Sequence, residues 1–143
     1  MLSNRSVPPV TVLPELVYED VEAAVPWLCE AFGFSVRWQA GGHRAQIWVG
    51  EGAVVIRDTP PDVEPAQPVP GACSSVLVRV EDAAAVRERA LAHGATLVRD
   101  LQDHPYGERQ VTFTDAAGHR WTFTQSIADV APEEWGGTSV ELR

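Results

Sequence analysis

Two similar stretches decide the fold: Glu19-Asp20-Val21-Glu22-Ala23-Ala24-Val25 and, 62 residues later, Glu81-Asp82-Ala83-Ala84-Ala85-Val86. Each follows a strand-like run and precedes a helical stretch that ends in a glycine, Gly33 in the first copy and Gly94 in the second. Aspartate at a helix start accepts hydrogen bonds from the free backbone N–H groups, and glycine adopts the left-handed conformation that ends a helix. The repeat predicts two copies of one strand–helix–strand unit.

In the segments before and after each predicted helix, apolar and polar residues alternate, and this pattern is typical of strands. We predict strands near residues 10–18, 34–40, 44–50, 53–58, 74–80, 95–101, 109–115 and 120–126. The order βαβββ therefore occurs twice and predicts an α+β fold. A βαββαβ order is the main rival, but it needs two strands between the helices, and we count four. Pro26 lies inside the first helical stretch and predicts a kink or a late helix start.

These units fill most of the chain, and its 143 residues suit a single domain, 1–143. The predicted modules span about 10–58 and 74–126, and a proline-rich linker, 59–73, joins them. The tail 127–143 has no counterpart in the repeat.

The alternation gives each strand one apolar and one polar face. Val76 and Val78 alternate with Ser75 and Arg79, for example. If the two helices cover one side of the sheet, the other side carries Glu15, Gln46, Trp48, Ser75, Arg79, Gln110, Thr112 and Thr122. These residues line a pocket if the sheet curls and face water if it stays flat, and the alternation leaves both readings open. Trp121 falls on the helix side and is expected in the core.

The charge balance limits the class of partner. The chain has 11 basic and 20 acidic residues and a formal net charge of −9. This charge disfavours binding to nucleic acid and to anionic membranes, whereas it attracts cationic ligands. Acidity is also common in cytosolic proteins simply because it keeps them soluble. No stretch has the pattern of a signal peptide or a membrane span, so we expect a cytoplasmic protein.

Several short motifs together resemble the vicinal oxygen chelate superfamily, also called the glyoxalase/bleomycin resistance/dioxygenase superfamily. They are Leu16 to Ala24, Ala31-Phe32-Gly33-Phe34, Val80-Glu81-Asp82, His93-Gly94-Ala95, Tyr106-Gly107-Glu108-Arg109 and Asp115 to Trp121. The resemblance implies two βαβββ modules that form a curled mixed β-sheet around a cavity, with the helices outside. It favours a pocket over a flat, solvated face.

Enzymes of that superfamily usually hold a divalent metal with one side chain from the first and last strand of each module. The matching positions here are Leu13, Ile56, Ser75 and Thr122, and none is a histidine or a carboxylate. Among strand residues, the alternation leaves Glu15 as the only carboxylate on the pocket side. The four histidines, which are expected in turns or at a helix end, are His43, His93, His104 and His119. We therefore expect no metal and no cofactor.

The resemblance then points to the metal-free members, which sequester antibiotics as dimers with aromatic residues in the groove. We expect a homodimer that binds an aromatic or cationic small molecule, because Trp48 can stack on such a ligand. The expected ligand-binding residues are Glu15, Gln46, Trp48, Ser75, Arg79, Thr112 and Thr122, with Tyr106 and Arg109 on a loop at the rim. The alternative is a lyase, isomerase or dioxygenase that uses a metal, or uses Glu15 near Arg79 as a base.

Overall fold

The computed structural model of the chain describes residues 2–59 and 74–140, so nearly all of the predicted linker lies outside the described residues. The chain divides into two compact units, Met1–Ala72 and Cys73–Arg143. Neither α-helix among the described residues is long and apolar enough to span a membrane.

The first unit has the predicted βαβββ order. Its elements are β1 (Glu15–Val17), α1 (Val21–Phe32), β2 (Ser35–Ala40), β3 (Arg44–Val49) and β4 (Gly52–Arg57). The sheet order is β1-β4-β3-β2, in which β1 runs parallel to β4 and the other neighbours are antiparallel.

The second unit repeats this topology. Its elements are β5 (Ser75–Arg79), α2 (Ala83–Ala92), β6 (Thr96–Asp103), β7 (Glu108–Thr114), β8 (Arg120–Ser126) and a short 3-10 helix, Pro132–Trp135. The sheet order is β5-β8-β7-β6, again with one parallel pair at the crossover. The α+β class and the two βαβββ modules are thus confirmed. The eight strands in the part of the chain that the structure describes are grouped in two sheets of four, and neither sheet closes into a barrel.

Both helices begin where the repeat predicts. The Asp20 carboxylate accepts a hydrogen bond from the Ala23 N–H at 3.0 Å, and Asp82 does the same for Ala85 at 3.0 Å. Helix α1 therefore starts at Val21, and the late start predicted from Pro26 is wrong. The cap supplies an acceptor at the first turn, so the helix forms although a proline lies within it.

The first strand is much shorter than the predicted 10–18, because it covers only Glu15–Val17. Prolines at 8, 9 and 14 precede it, and proline has no N–H to donate to a strand ladder. The Pro14 carbonyl still accepts from the Val55 N–H at 2.8 Å, immediately before the strand begins.

Each unit has its own apolar core. In the first unit, Leu28, Ile47 and Ile56 are fully buried. In the second, Trp121, Phe113, Phe123 and Val111 are fully buried, which confirms the core position predicted for Trp121.

Candidate functional site

The first unit carries a polar face on the side of its sheet that α1 does not cover. In the strand register Glu15 is paired with Val55, Val55 with Gln46, and Trp48 with Ala53. Paired residues lie on the same side of a sheet. We call this surface the first polar face and define it by Glu15, Arg37, Trp38, Arg44, Gln46, Trp48 and Arg57. The apolar residues of the opposite side include Ala45, Ile47 and Ile56, which are fully buried.

Glu15 lies at one end of the first polar face, in an ion-pair cluster. Its Oε1 is 2.8 Å from Arg44 Nη2 and 3.7 Å from Arg57 Nη1. Arg79 belongs to the second unit, where it donates to the Ser126 hydroxyl at 3.5 Å, and its expected proximity to Glu15 stays a prediction. Two guanidinium groups therefore engage the carboxylate that the sequence offered as a metal ligand or a base.

Gln46 and Trp48 lie at the centre of the face, and both have partners within the chain. Gln46 is only 4% exposed; its Oε1 accepts from Arg37 Nη1 at 2.9 Å, and its Nε2 donates to the Ser6 carbonyl at 3.0 Å. The Arg37 guanidinium carbon lies over the Trp48 ring, 5.6 Å from its centroid. The alternation predicted Gln46 and Trp48 on one face but missed Arg37. The β2–β3 register shifts between Val36 and Trp38, and that irregularity brings Arg37 to this face.

The second unit has a corresponding surface. The side chain of Gln125 accepts from the Ala83 N–H at the start of α2 (2.9 Å), so the face of β8 that carries Gln125 is the helix side. The second polar face is the opposite one, defined by Ser75, Arg79, Glu108, Gln110, Thr112, Thr122, Thr124 and Ser126. Four of the predicted site residues, Ser75, Arg79, Thr112 and Thr122, share this face, and the strand register brings them together.

Hydrogen bonds connect the side chains of the second polar face. The hydroxyls of Thr112 and Thr122 are 2.8 Å apart. Tyr106 donates to Gln110 at 3.3 Å, and Gln110 Nε2 donates to the Thr124 hydroxyl at 3.2 Å. That hydroxyl donates in turn to Glu108 at 2.8 Å, so the series ends at a carboxylate.

Glu108 is the functional-site candidate that the sequence reasoning missed. The predicted strand began at residue 109, whereas β7 begins at Glu108. Glu15 is therefore not the only strand carboxylate on a polar face. Hydrogen bonds from Ser126 and Thr124, with the positive charge of Arg79, hold the pKa of Glu108 below its ordinary value despite partial desolvation. The side chain is thus an anion at neutral pH.

Of the two residues predicted on a loop at the rim, Tyr106 lies in a loop and Arg109 does not. Tyr106 lies in the loop before β7, as predicted, where its ring stacks on His104 (centroids 5.0 Å apart) and meets Trp135 edge-on at 5.6 Å. Arg109 lies within β7, not in a loop, and its register partner is Gln125 on the helix side. It forms a two-pronged ion pair with Asp103, at 2.7 and 3.1 Å, and this contact raises the pKa of Arg109.

The positions that match the family's metal ligands do not fit a metal. Leu13 lies outside β1, and Ile56 is fully buried on the helix side, so the residues of β4 on the polar face are Ala53, Val55 and Arg57. Ser75 and Thr122 do lie on the second polar face, but neither offers an imidazole or a carboxylate. In residues 2–59 and 74–140, no group of three His, Cys, Asp or Glu side chains is placed to hold a metal ion.

The comparison with protein families decides the identity. Residues 10–123 match the Glyoxalase/Bleomycin resistance protein/Dioxygenase superfamily. The chain belongs to this superfamily. Its fold agrees with solved members. TioX from Micromonospora sp. ML1 is 35% identical and superposes with a TM-score of 0.68, covering 82% of this chain and 99% of that one.

Two further relatives extend the comparison. A glyoxalase/bleomycin resistance protein from Streptomyces sp. CB03234 is 24% identical and has a TM-score of 0.63, with 79% of this chain and 97% of that chain covered. This likeness concerns the fold alone. An uncharacterised protein of Mycobacterium tuberculosis H37Rv is 26% identical over 131 residues, which cover 85% of this chain and 77% of the relative.

Proposed function

We propose that this superfamily member binds and sequesters a flat aromatic or cationic small molecule, such as an antibiotic, without a catalytic metal. The observation that carries the proposal is the Arg37 guanidinium, a flat cation, lying over the Trp48 ring. An indole face attracts cations through its electron-rich ring, and the attraction grows when water is excluded. A planar cationic ligand has the same chemistry as the group that now lies there.

The donor chemistry of both polar faces supports a binding role. The positions that match metal ligands are leucine, isoleucine, serine and threonine, and the second polar face offers hydroxyl and amide groups with one carboxylate, Glu108. Such groups orient a polar ligand through hydrogen bonds. The net charge of −9 favours cationic ligands over anionic ones.

The proposal includes a homodimer, because two-fold pairing of identical chains lets a second copy complete a groove. It also places the protein in the cytoplasm. Light scattering at micromolar concentration tests the assembly. A mass of about two chains is expected, and a monomer of 15.6 kDa would remove the groove between copies.

Tryptophan fluorescence tests the binding site. Titration with a planar heteroaromatic cation is expected to quench the emission saturably, and Trp48→Ala should remove most of that quenching. Trp135→Ala is the matched control, because Trp135 is 45% exposed and lies in the 3-10 helix of the other unit. A Trp48→Ala variant that retains the full saturable quenching would refute the proposed site.

Metal analysis tests the enzyme alternative. The Glu15 oxygen that faces the cluster is already engaged by Arg44 and Arg57, so we expect protein purified without chelator to contain less than stoichiometric metal. Stoichiometric zinc, nickel, iron or manganese that is lost in Glu15→Gln would overturn the metal-free proposal.

A further inference from the structure

The N-terminal segment Asn4–Pro8 lies against the first polar face in a defined turn. Asn4 shapes this turn, because its side chain accepts from the Ser6 N–H at 3.0 Å and its carbonyl from the Val7 N–H at 3.1 Å. Pro8 is buried, whereas residues 2–7 are exposed and lie outside every helix and strand. The segment is therefore held by contacts of its own rather than by the sheet ladder.

Three side-chain donors of the first polar face converge on two consecutive backbone carbonyls of this segment. Arg37 Nη2 donates to the Arg5 carbonyl at 2.7 Å. Trp38 Nε1 and Gln46 Nε2 both donate to the Ser6 carbonyl, each at 3.0 Å. Both acceptors are main-chain oxygens, so these contacts do not depend on the identity of the side chains in the segment.

We infer that Arg37, Trp38 and Gln46 form a binding site for amide carbonyls, and that Asn4–Pro8 occupies it as an internal competitor. The ligand class is a peptide-like molecule with two consecutive amide carbonyls, which lie beside the Trp48 ring when the molecule is bound. This inference rests on the proposed function, because it names the chemistry recognised by the same face. The donors are directed at carbonyl oxygens, and any molecule that presents the same pair of oxygens meets the same three groups.

An external ligand reaches this site by displacing the Asn4–Pro8 segment. A segment of the same chain competes at an effective concentration on the order of millimolar. An external ligand must therefore bind the free site well, or the segment must be weakened. Asn4→Ala removes the side-chain acceptor for Ser6 N–H and loosens the turn, without touching the three donors.

The experiment uses the full chain and a labelled synthetic peptide with the sequence of residues 2–10, blocked at both ends. Fluorescence anisotropy measures its binding. Asn4→Ala should bind the peptide about three- to tenfold more tightly than the unchanged chain, because the internal competitor is weaker. In NMR spectra the indole N–H signal of Trp38, identified by its loss in Trp38→Phe, should shift as the peptide binds.

Gln46→Glu tests the site within the Asn4→Ala background. The carboxylate still accepts from Arg37 but offers no donor to a carbonyl, so peptide binding should fall about tenfold or more. Gln39→Glu is the matched control, since Gln39 is exposed on β2 and the charge change is the same. Circular dichroism of both variants verifies that they are folded. Trp38→Phe, which removes one donor with a smaller change of shape, should also weaken binding.

The outcomes separate this inference from the proposed function. If the peptide leaves the Trp38 indole signal unchanged in Asn4→Ala, or if Gln46→Glu binds it as well as Gln39→Glu does, the carbonyl site is refuted. Quenching by the planar cation that persists in that case means that only the inference fails. Loss of both responses means that the proposed function fails as well.

Discussion

Asp115→Asn is the most informative perturbation of the second unit, because one buried carboxylate connects a turn to the core. Asp115 is 6% exposed; its Oδ1 accepts from the Ala117 N–H at 3.1 Å and the His119 N–H at 2.9 Å. Its Oδ2 accepts from Trp121 Nε1 at 3.1 Å. Asparagine has the same shape, so the substitution changes the hydrogen bonding and not the packing.

The expected cost follows from these three bonds. In either orientation of the new amide, its NH₂ group faces an N–H donor, which leaves a buried donor without an acceptor at a cost of about 1–3 kcal/mol. The remaining bonds lose their charge assistance, worth roughly 1 kcal/mol. We expect about 3 kcal/mol of destabilisation, measured by urea unfolding. Asp129→Asn, on an exposed residue, should change stability by less than about 0.5 kcal/mol.

A double-mutant cycle with Trp121→Phe isolates the indole bond. Phenylalanine removes the Nε1 donor, so Asp115→Asn should cost about 1–2 kcal/mol less in that background than in the unchanged chain. The cavity left by the smaller ring is present in both arms of the cycle and cancels. Equal costs in the two backgrounds would refute the role given to the Asp115–Trp121 hydrogen bond.

Two further predictions concern a carboxylate and a glycine. The lowered pKa of Glu108 contributes stability that is fully present above its unfolded pKa of about 4.3 and is lost as pH falls through the lower folded value. Glu108→Gln should therefore reduce the pH dependence of urea unfolding between about pH 3 and 5, and an unchanged profile would contradict this assignment. Gly107 has φ +82°, and a Cβ there would collide with the Ala128 carbonyl oxygen, so Gly107→Ala should cost about 2–4 kcal/mol by the same assay. Gly50→Ala is its control, with φ +58° and open space around the Cβ, and should cost only about 1–2 kcal/mol; equal losses would show that the contact with Ala128 is unimportant.

Capping and alternation allowed much of the fold to be predicted. Asp20 and Asp82 start the helices because an aspartate side chain caps its own neighbouring amides, an interaction that spans three residues. Alternation placed Thr112 and Thr122 on one face and Trp121 in the core, because side chains of a strand point to opposite faces in turn. Residue type alone also showed that the positions matching the family's metal ligands do not suit a metal, because they are leucine, isoleucine, serine and threonine.

Only the tertiary structure decided the contacts of the first polar face. A one-residue change of register moves a side chain to the other face of a sheet. This explains why Arg37 lies on the first polar face, and why Ile56, which was expected at a metal-ligand position, lies on the helix side. The Ser6 carbonyl meets Trp38 and Gln46, which are 32 and 40 residues away in sequence. No local periodicity encodes such a contact. Local hydrogen bonds and alternation therefore determined the elements, whereas long-range packing determined what occupies the candidate site.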